Sequence, residues 1–284
     1  MFKQEQILIE DSPFINDKSS YIDIDKAKRI LCEIANQIID ALNIQSLASI
    51  KIREPNLFEN KLGRTNSQIV DGKMISHIEL AYEVFVNVYI DIEHSNFENH
   101  IKSVSTIWHE FYHVYDNENL FQYTMIPSDI NRTELSYYIC GKKSWSEFFV
   151  NYKTFEYYET EYKYDMLADS YNLFKEVSSH NNMHEAIPEY QKYIYCLSTV
   201  LGYACNSNHN VLCDDTLGQI KEQNFVDSVK NQLLYILNHY PTDLTYSDLV
   251  KLGEIFYNAL PFDESSINDF LDFQKKISQI SLYQ

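Results

Sequence analysis

Residues 109–113 read His-Glu-Phe-Tyr-His, the pattern H-E-x-x-H, within a run of helical periodicity. In a helix His109 and His113 fall on one face, one turn apart. Two imidazole nitrogens at that spacing can reach a single zinc ion at about 2.0–2.1 Å each. Glu110 follows the first histidine and can accept a proton from a water at the same metal. The stretch therefore predicts a helix that carries two zinc ligands and a general base.

The residues on either side of the motif predict where this helix begins and ends. Ser95-Asn96-Phe97-Glu98 fits a capping box, S-x-x-E, at a helix start. Apolar side chains then recur at helical spacing as far as Tyr115. We expect the helix to end near residues 117–119, which would place the motif in its last two turns.

A catalytic zinc site needs a third protein ligand besides the two histidines, and one position open to water. The metzincin pattern would have Gly three and His six residues after the second histidine, but Asp116 and Asn119 stand there. A glutamate from a following helix is the remaining common arrangement. Glu147 is favoured because it begins an amphipathic run among aromatic residues, where an acid is costly to bury unless it is paired or bound to metal. The downstream candidates are Glu118, Glu134, Glu147, Glu156, Glu159 and Glu161.

Four other side chains are predicted to support the site. Asp116 lies on the same helix face as His113, where a carboxylate can hold the second nitrogen of a metal-bound imidazole. A surface acid is the alternative for Asp116. Asn151, one turn after the favoured glutamate, is predicted to lie behind it. Tyr137 or Tyr138, expected just before the second helix, could donate a hydrogen bond to the developing oxyanion.

The N-terminal sequence predicts a helix and a small sheet. Residues 1–20 are expected to be irregular, and an apolar stripe predicts a helix from Asp23 or Asp25 to Leu42. Residues 47–53 alternate as a strand does. Residues 66–92 are interpreted as strands, with a hairpin turn at Asp71-Gly72 and a long β-rich run from His77 to Ile92. A strand beside the motif helix could pair with an extended substrate.

The sequence after the motif is predicted to be mostly helical. A connecting segment is expected over residues 117–143, followed by a helix from Ser144. Further helices are expected at about 186–205, 218–239, 247–259 and 266–280, with turns at Gly202, Tyr240-Pro241 and Pro261.

Composition restricts the partners. The 284-residue chain has a net charge of -18 and no basic stripe, so neither nucleic acid nor an anionic membrane surface is an expected partner. The negative charge would favour a basic peptide as substrate, although a role in keeping the protein soluble is the simpler explanation of the charge. The N-terminus lacks a signal pattern, no apolar run approaches the roughly 20 residues of a spanning helix, and the five cysteines are scattered. A cytoplasmic location is therefore predicted.

Two other clusters have weaker metal-binding patterns. His180 and His184 repeat the four-residue spacing, but they lack the glutamate and lie at an Asn-rich break. Cys205, His209 and Cys213, with Cys196 nearby, match no tight C-x-x-C knuckle. Buried reduced cysteines are the simpler interpretation of the latter group.

His109 to Asp116, followed by Ser146-Glu147-Phe148-Phe149, resembles the gluzincin-type zinc metallopeptidases. The similar groups are the ImmA/IrrE-like bacterial and phage enzymes, and the catalytic core of anthrax-lethal-factor-like and Pro-Pro-endopeptidase-like enzymes. The resemblance covers about residues 80–160. It implies zinc ligands at His109, His113 and Glu147, a base at Glu110, and a tyrosine before the glutamate helix. The substrate class does not carry over, because the secretion signals and tyrosine spacing of the secreted groups are not met.

Together the residues and the resemblance predict an α+β fold. We expect a zincin-like domain over residues 1–180, with a small N-terminal sheet, the H-E-x-x-H helix and the glutamate helix. A helical region over residues 181–284 is expected to pack on it. The expected function is that of a zinc metalloendopeptidase acting on a protein or peptide substrate. The alternative is a catalytically silent zinc-binding regulatory or interaction protein that presents its helical C-terminal half to a partner.

Overall fold

The computed structural model describes residues 1–18, 22–55, 62–94, 100–124, 126–127, 129–157, 172–173, 175–206, 223–260 and 262. Residue contacts group the chain into two compact units. The first takes in Met1–Phe121, and the second takes in Gln122–Phe155 with most of the described residues that follow. The first contains a mixed sheet and the second is helical, which confirms the α+β class. This grouping differs from the expected domain boundary at residue 180, which stays a prediction.

The elements follow the chain in a simple order. A 3-10 turn at Gln4–Gln6 precedes β1 (Ile7–Ile9), α1 (Pro13–Lys18), α2 (Ile24–Leu42), β2 (Leu47–Arg53), β3 (Gly63–Val70), β4 (Lys73–Ala81), α3 (Tyr82–His94) and α4 (His100–Tyr123). Then come α5 (Arg132–Tyr157), α6 (Met183–Asn206), α7 (Gln223–His239) and α8 (Tyr246–Asn258). The expectation that residues 1–20 are irregular is wrong, because β1 adds a strand to the sheet and α1 follows it.

The sheet has the strand order β1-β2-β4-β3. Strands β1, β2 and β4 are parallel neighbours, and β3 pairs antiparallel with β4. The β3–β4 hairpin turns at Asp71 and Gly72, whose φ angles are 50° and 73°. Positive φ at both central residues is the signature of the turn that Asp-Gly favours. The predicted hairpin turn and the predicted strand over residues 47–53 are both confirmed.

The core of the first unit lies between this sheet and its helices. Alternate residues of β2 and β4 are fully buried, among them Ile50, Ile52, Ile78 and Leu80. Helix α2 contributes the apolar stripe that its sequence predicts, including Leu31, Ala35 and Ile38. The side chain of Asp23 caps α2 by accepting a hydrogen bond from the Lys26 backbone N–H at 3.0 Å. Helix α2 ends at Leu42, which confirms the predicted helix.

The β-rich run expected from His77 to Ile92 is wrong beyond Ala81. Strand β4 ends there, and Tyr82–His94 forms α3. Val84, Phe85 and Val88 are each at most 2% exposed, which is a helical spacing of buried positions. Packing of α3 against α2 overrides the strand preference of its β-branched residues.

Two expected helix boundaries around the motif are also wrong. Helix α4 continues to Tyr123, so the H-E-x-x-H stretch lies in its middle and not in its last two turns. Helix α5 begins at Arg132 and not at Ser144. Asn131 caps it, because its Oδ1 accepts from the Glu134 backbone N–H at 3.0 Å and its Nδ2 donates to Glu134 Oε2 at 2.9 Å. The expected capping box at Ser95 lies outside the described residues.

In the second unit α5 is held by close contacts with α6 and α8. Ser144 of α5 and Ser198 of α6 share a hydrogen bond of 2.7 Å between their hydroxyl oxygens. Gly202 lies inside α6, so the turn expected there is wrong. A Cβ atom at Gly202 would lie 2.5 Å from the Phe148 carbonyl oxygen, so the glycine permits the close approach of α6 to α5.

The predicted C-terminal helices agree with the structure where it describes them. Helices α6, α7 and α8 correspond to the ranges 186–205, 218–239 and 247–259, and a turn follows His239 at Tyr240-Pro241. The expected helix at 266–280 and the turn at Pro261 lie outside the described residues.

Candidate metal centre

The two motif histidines face each other on α4, as their spacing predicts. Their ring centroids lie 4.9 Å apart and the ring planes are inclined by 78°. Both side chains are half-buried. Ile107, Phe111 and Val114 are fully buried in the core of the first unit and anchor this stretch of α4. The histidine pair is therefore presented by a helix that is anchored in the core and not by a loop.

Glu147 of α5 completes a group of three candidate metal ligands. One nitrogen of His109, one of His113 and one carboxylate oxygen of Glu147 all lie within 4.8 Å of one another. Two ligands of a tetrahedral zinc ion at 2.0–2.1 Å are about 3.3 Å apart. The three atoms are close enough to be considered together as candidate ligands of one ion. This group could bind a metal, and the donor set of two imidazoles and one carboxylate fits zinc.

Other candidate third ligands are occupied elsewhere or are not described. Glu118 accepts hydrogen bonds from the backbone N–H groups of Gln45, at 2.9 Å, and Ser46. Glu134 takes part in the cap of α5. The side chain of Glu156, and both Glu159 and Glu161, lie outside the described part of the chain.

Glu110 lies between the histidines in sequence but is not one of the three clustered residues. It is 4% exposed. The Thr65 hydroxyl of β3 lies 2.8 Å from Glu110 Oε2 and 3.0 Å from the Glu110 carbonyl oxygen, and donates to them. Gly63 of the same strand approaches the carboxylate closely. Sequence reasoning missed Gly63 and Thr65, because nothing along the chain indicates which strand lies beside α4.

Asp116 and Asn151, the predicted supporting residues, are both buried. Asp116 is fully buried, so the surface-acid alternative is wrong. Its hydrogen bond to a metal-bound imidazole stays a prediction. Asn151 is 2% exposed, and its Nδ2 donates to the Glu147 backbone oxygen at 2.7 Å and to Thr199 Oγ1 at 3.4 Å. Asn151 thus fixes the backbone of the glutamate turn and ties α5 to α6.

Tyr137 and Tyr138 lie within α5 and not before it, which corrects the sequence expectation. The Tyr137 ring packs 5.1 Å from that of Tyr257, and the Tyr138 ring stacks 4.9 Å from that of Tyr246. At 1.5 Å per residue, both lie about 14 Å before Glu147 along the helix axis. Their expected role at the oxyanion therefore gains no support from this placement.

The weaker metal clusters gain no support among the described residues. His180 pairs with Glu189, with Nε2 and Oε2 3.6 Å apart. The side chain of His184, and all of His209 and Cys213, lie outside the described residues. The histidine–histidine–glutamate group is the cluster of potential metal ligands found where the structure describes the chain.

Within the described parts of the chain, no helix combines the length and the apolar character needed to cross a bilayer. Comparisons of the chain with protein-family models, with curated proteins and with solved structures found no match.

Proposed function

We propose that this protein is a zinc-dependent metallopeptidase of the gluzincin type that hydrolyses a protein or peptide substrate. The observation that carries the proposal is the convergence of His109, His113 and Glu147. The buried carboxylate of Glu110, next to the first of these residues, supports it. Three protein ligands with a fourth position for water distinguish a catalytic zinc site from a closed structural one.

Bound zinc would act as a Lewis acid that polarises a carbonyl oxygen and lowers the pKa of a coordinated water from about 15.7 to about 7. Glu110 would accept a proton from the attacking water at its carboxylate. The water oxygen forms a bond to the carbonyl carbon, and the peptide C–N bond breaks. Glu110 then donates the proton to the departing amine nitrogen, so the products are an amine and a carboxylic acid, which ionises by passing its remaining proton to the amine or to water.

The half-buried setting of the ligands suits this chemistry. His109 and His113 lie on a helix anchored by core residues, so the backbone that carries their rings is held in place. The backbone of Glu147 is tied by Asn151 to α6. Held in this way, His109, His113 and Glu147 would bind the ion, and the ion would supply a water for attack.

The first experiment measures zinc by elemental analysis and affinity by competition with a chromogenic chelator. We expect one zinc per chain in the parent protein and a zinc affinity reduced by at least about 100-fold in Glu147→Ala. Glu134→Ala is the matched control on the same helix. It should keep the parent affinity, because the Glu134 side chain takes part in the helix cap and is not one of the three candidate ligands. Unchanged zinc binding in Glu147→Ala would reject Glu147 as a ligand.

The second experiment tests hydrolysis with a proteome-derived peptide library read by mass spectrometry. We expect the zinc-loaded parent to cleave a subset of peptides, and Glu110→Gln to keep zinc but lose turnover by at least about 1,000-fold. Full hydrolysis by Glu110→Gln would reject the mechanism. One bound zinc with no cleavage by the parent would favour the alternative of a zinc-binding interaction protein.

A further inference from the structure

One face of β3 meets the face of α4 that carries the base. Gly63, Thr65 and Ser67 alternate along the strand, so they share one side of the sheet. Thr65 contacts Glu110, and Ser67 Oγ accepts from Asn117 Nδ2 at 3.2 Å. Glu110 and Asn117 are seven residues apart and lie on one face of α4. Two polar contacts thus join the edge strand β3 to α4, and one of them is made by the carboxylate of the proposed base.

The Thr65 hydroxyl is well placed to hold that carboxylate. It has a single proton, and of its two near acceptors Glu110 Oε2 is the closer, at 2.8 Å against 3.0 Å for the carbonyl oxygen. A hydrogen bond to an ionised acceptor is about twice as strong as a neutral one. Because Glu110 is 4% exposed, bulk water has little access to replace this donor.

Gly63 provides the space in which the carboxylate lies. A Cβ atom at this position would lie 2.7 Å from both Cγ and Oε1 of Glu110, and 2.9 Å from its Cδ. Those distances are too short for real atoms, so any larger residue would displace the glutamate side chain. The φ angle of Gly63 is not positive, so its backbone conformation does not require glycine. Glycine is needed here because a side chain would overlap Glu110.

We infer that Thr65 is a positioning residue for Glu110, with Gly63 making room for the carboxylate that Thr65 holds. The inference rests on the proposed function and adds to it the strand residue that orients the carboxylate of the base. A glutamate has several rotatable bonds, and a base acts only within about 2.6–3.2 Å of the proton that it takes. A displacement of about 1 Å costs about 100-fold in rate. A carboxylate accepts about four hydrogen bonds, so the Thr65 bond uses only part of its capacity.

The kinetic test compares Thr65→Val, Thr65→Ser and the control Ser67→Ala. Valine keeps the shape of threonine without its hydroxyl, whereas serine keeps the hydroxyl. We expect Thr65→Val to lower kcat by about 10- to 100-fold with little change in KM and no change in zinc affinity. Thr65→Ser should restore kcat to within about threefold of the parent. Ser67→Ala removes a neighbouring polar contact of the same strand and should leave kcat unchanged.

Gly63→Ala is a second, independent variant. Its methyl group would push the Glu110 side chain away, so kcat should fall by at least about 100-fold while the protein keeps its zinc. This variant keeps the inference open to refutation if Thr65→Val does not fold. Parent-like kcat in a folded Gly63→Ala protein would overturn it, as would a Thr65→Val protein that loses zinc as severely as it loses rate.

A readout without turnover separates this inference from the proposed function. Urea unfolding of the parent, Thr65→Val, Glu110→Ala and the double variant forms a double-mutant cycle. We expect the two side chains to be coupled by about tenfold in the unfolding equilibrium constant, as for a hydrogen bond to a charged group. If the Thr65 and Glu110 side chains are coupled but the parent cleaves no peptide, the proposed function is rejected and the Thr65–Glu110 contact is supported. No coupling, together with parent-like kcat in Thr65→Val, would reject the positioning role and leave the proposed function standing.

Discussion

Gly141→Ala should destabilise the second unit, although alanine is the better helix former. Gly141 lies in α5 where that helix meets α8, and a Cβ atom there would lie 1.9 Å from the Leu249 carbonyl oxygen. The contact is reciprocal, since a Cβ atom at Gly253 of α8 would lie 1.8 Å from the Tyr137 carbonyl oxygen. Two glycines thus let the backbones of α5 and α8 touch.

The size of the effect follows from that overlap. Ordinary van der Waals contact begins at 3.4 Å, so an alanine at position 141 requires the helices to separate by about 1.5 Å. The obstructing atom is backbone, so no side-chain rotation can relieve it. Overpacking costs about 1–3 kcal/mol, and separation would also loosen the fully buried Leu252 and Phe256 of α8. The gain in helix propensity returns only about 1 kcal/mol. Because the obstructing atom is backbone, the overpacking cost lies at the upper end of that range, at about 3 kcal/mol, and we expect a net loss of about 2 kcal/mol in the free energy of unfolding.

The assay is urea unfolding followed by tryptophan fluorescence in a Trp108→Phe background, which leaves the buried Trp145 of α5 as the reporter. Ser228→Ala on the exposed face of α7 is the control, because it improves helix propensity without a new contact, and it should not lose stability. Gly253→Ala should cost a similar amount to Gly141→Ala. The double variant should cost less than the sum, since one separation of the helices relieves both overlaps. A Gly141→Ala protein at least as stable as the parent would refute the close crossing of α5 and α8.

Three further predictions concern ionisation and turn geometry. Burial raises the pKa of Glu79, but hydrogen bonds from Arg53 and Arg64 outweigh it and leave the pKa lowered. This carboxylate therefore adds stability above the unfolded pKa of about 4.3, and the gain is lost as pH falls through the lower folded pKa. Urea midpoints from pH 6 to about pH 3 should fall less steeply in Glu79→Gln than in the parent. Gly72→Ala should cost about 1 kcal/mol in urea unfolding, because φ is 73°, whereas Gly72→Asn should cost less. Burial raises the pKa of the Cys140 thiol to about 12, so at pH 8 it should react with a disulfide reagent only in denaturant, and reaction in native buffer would contradict its burial.

Local patterns predicted some of these elements because short-range physics decides them. The start of α2 near Asp23, its apolar stripe and the Asp71-Gly72 turn each depend on residues within a few positions of one another. Helix α5 shows the same rule in a missed case. Asn131 and Glu134 form the local cap of that helix, so the chain did contain the signal for its start, ahead of the Ser144 that was expected.

Residues 82–92 show where local preference fails. Val84, Val86, Val88 and Ile90 favour a strand by their branched side chains, yet they lie in α3. Gly202 is a similar case, since glycine suggests a turn but here lies inside α6 against the backbone of α5. In both places contacts with distant parts of the chain outweigh a preference of about 1 kcal/mol or less.

The histidine pair and the glutamate between them could be recognised from the sequence alone, because four-residue spacing on a helix places side chains on one face whatever surrounds them. The sequence also indicated Glu147, through the aromatic residues beside it. The folded structure was needed to show that one atom each of His109, His113 and Glu147 lies within 4.8 Å of the others, and that Thr65 donates a hydrogen bond to Glu110 where Gly63 leaves room for its carboxylate. The approach of Glu147 to the histidines, and of Thr65 and Gly63 to Glu110, joins residues 34 to 47 positions apart in the chain, and no pattern along one element specifies which distant element will lie beside it.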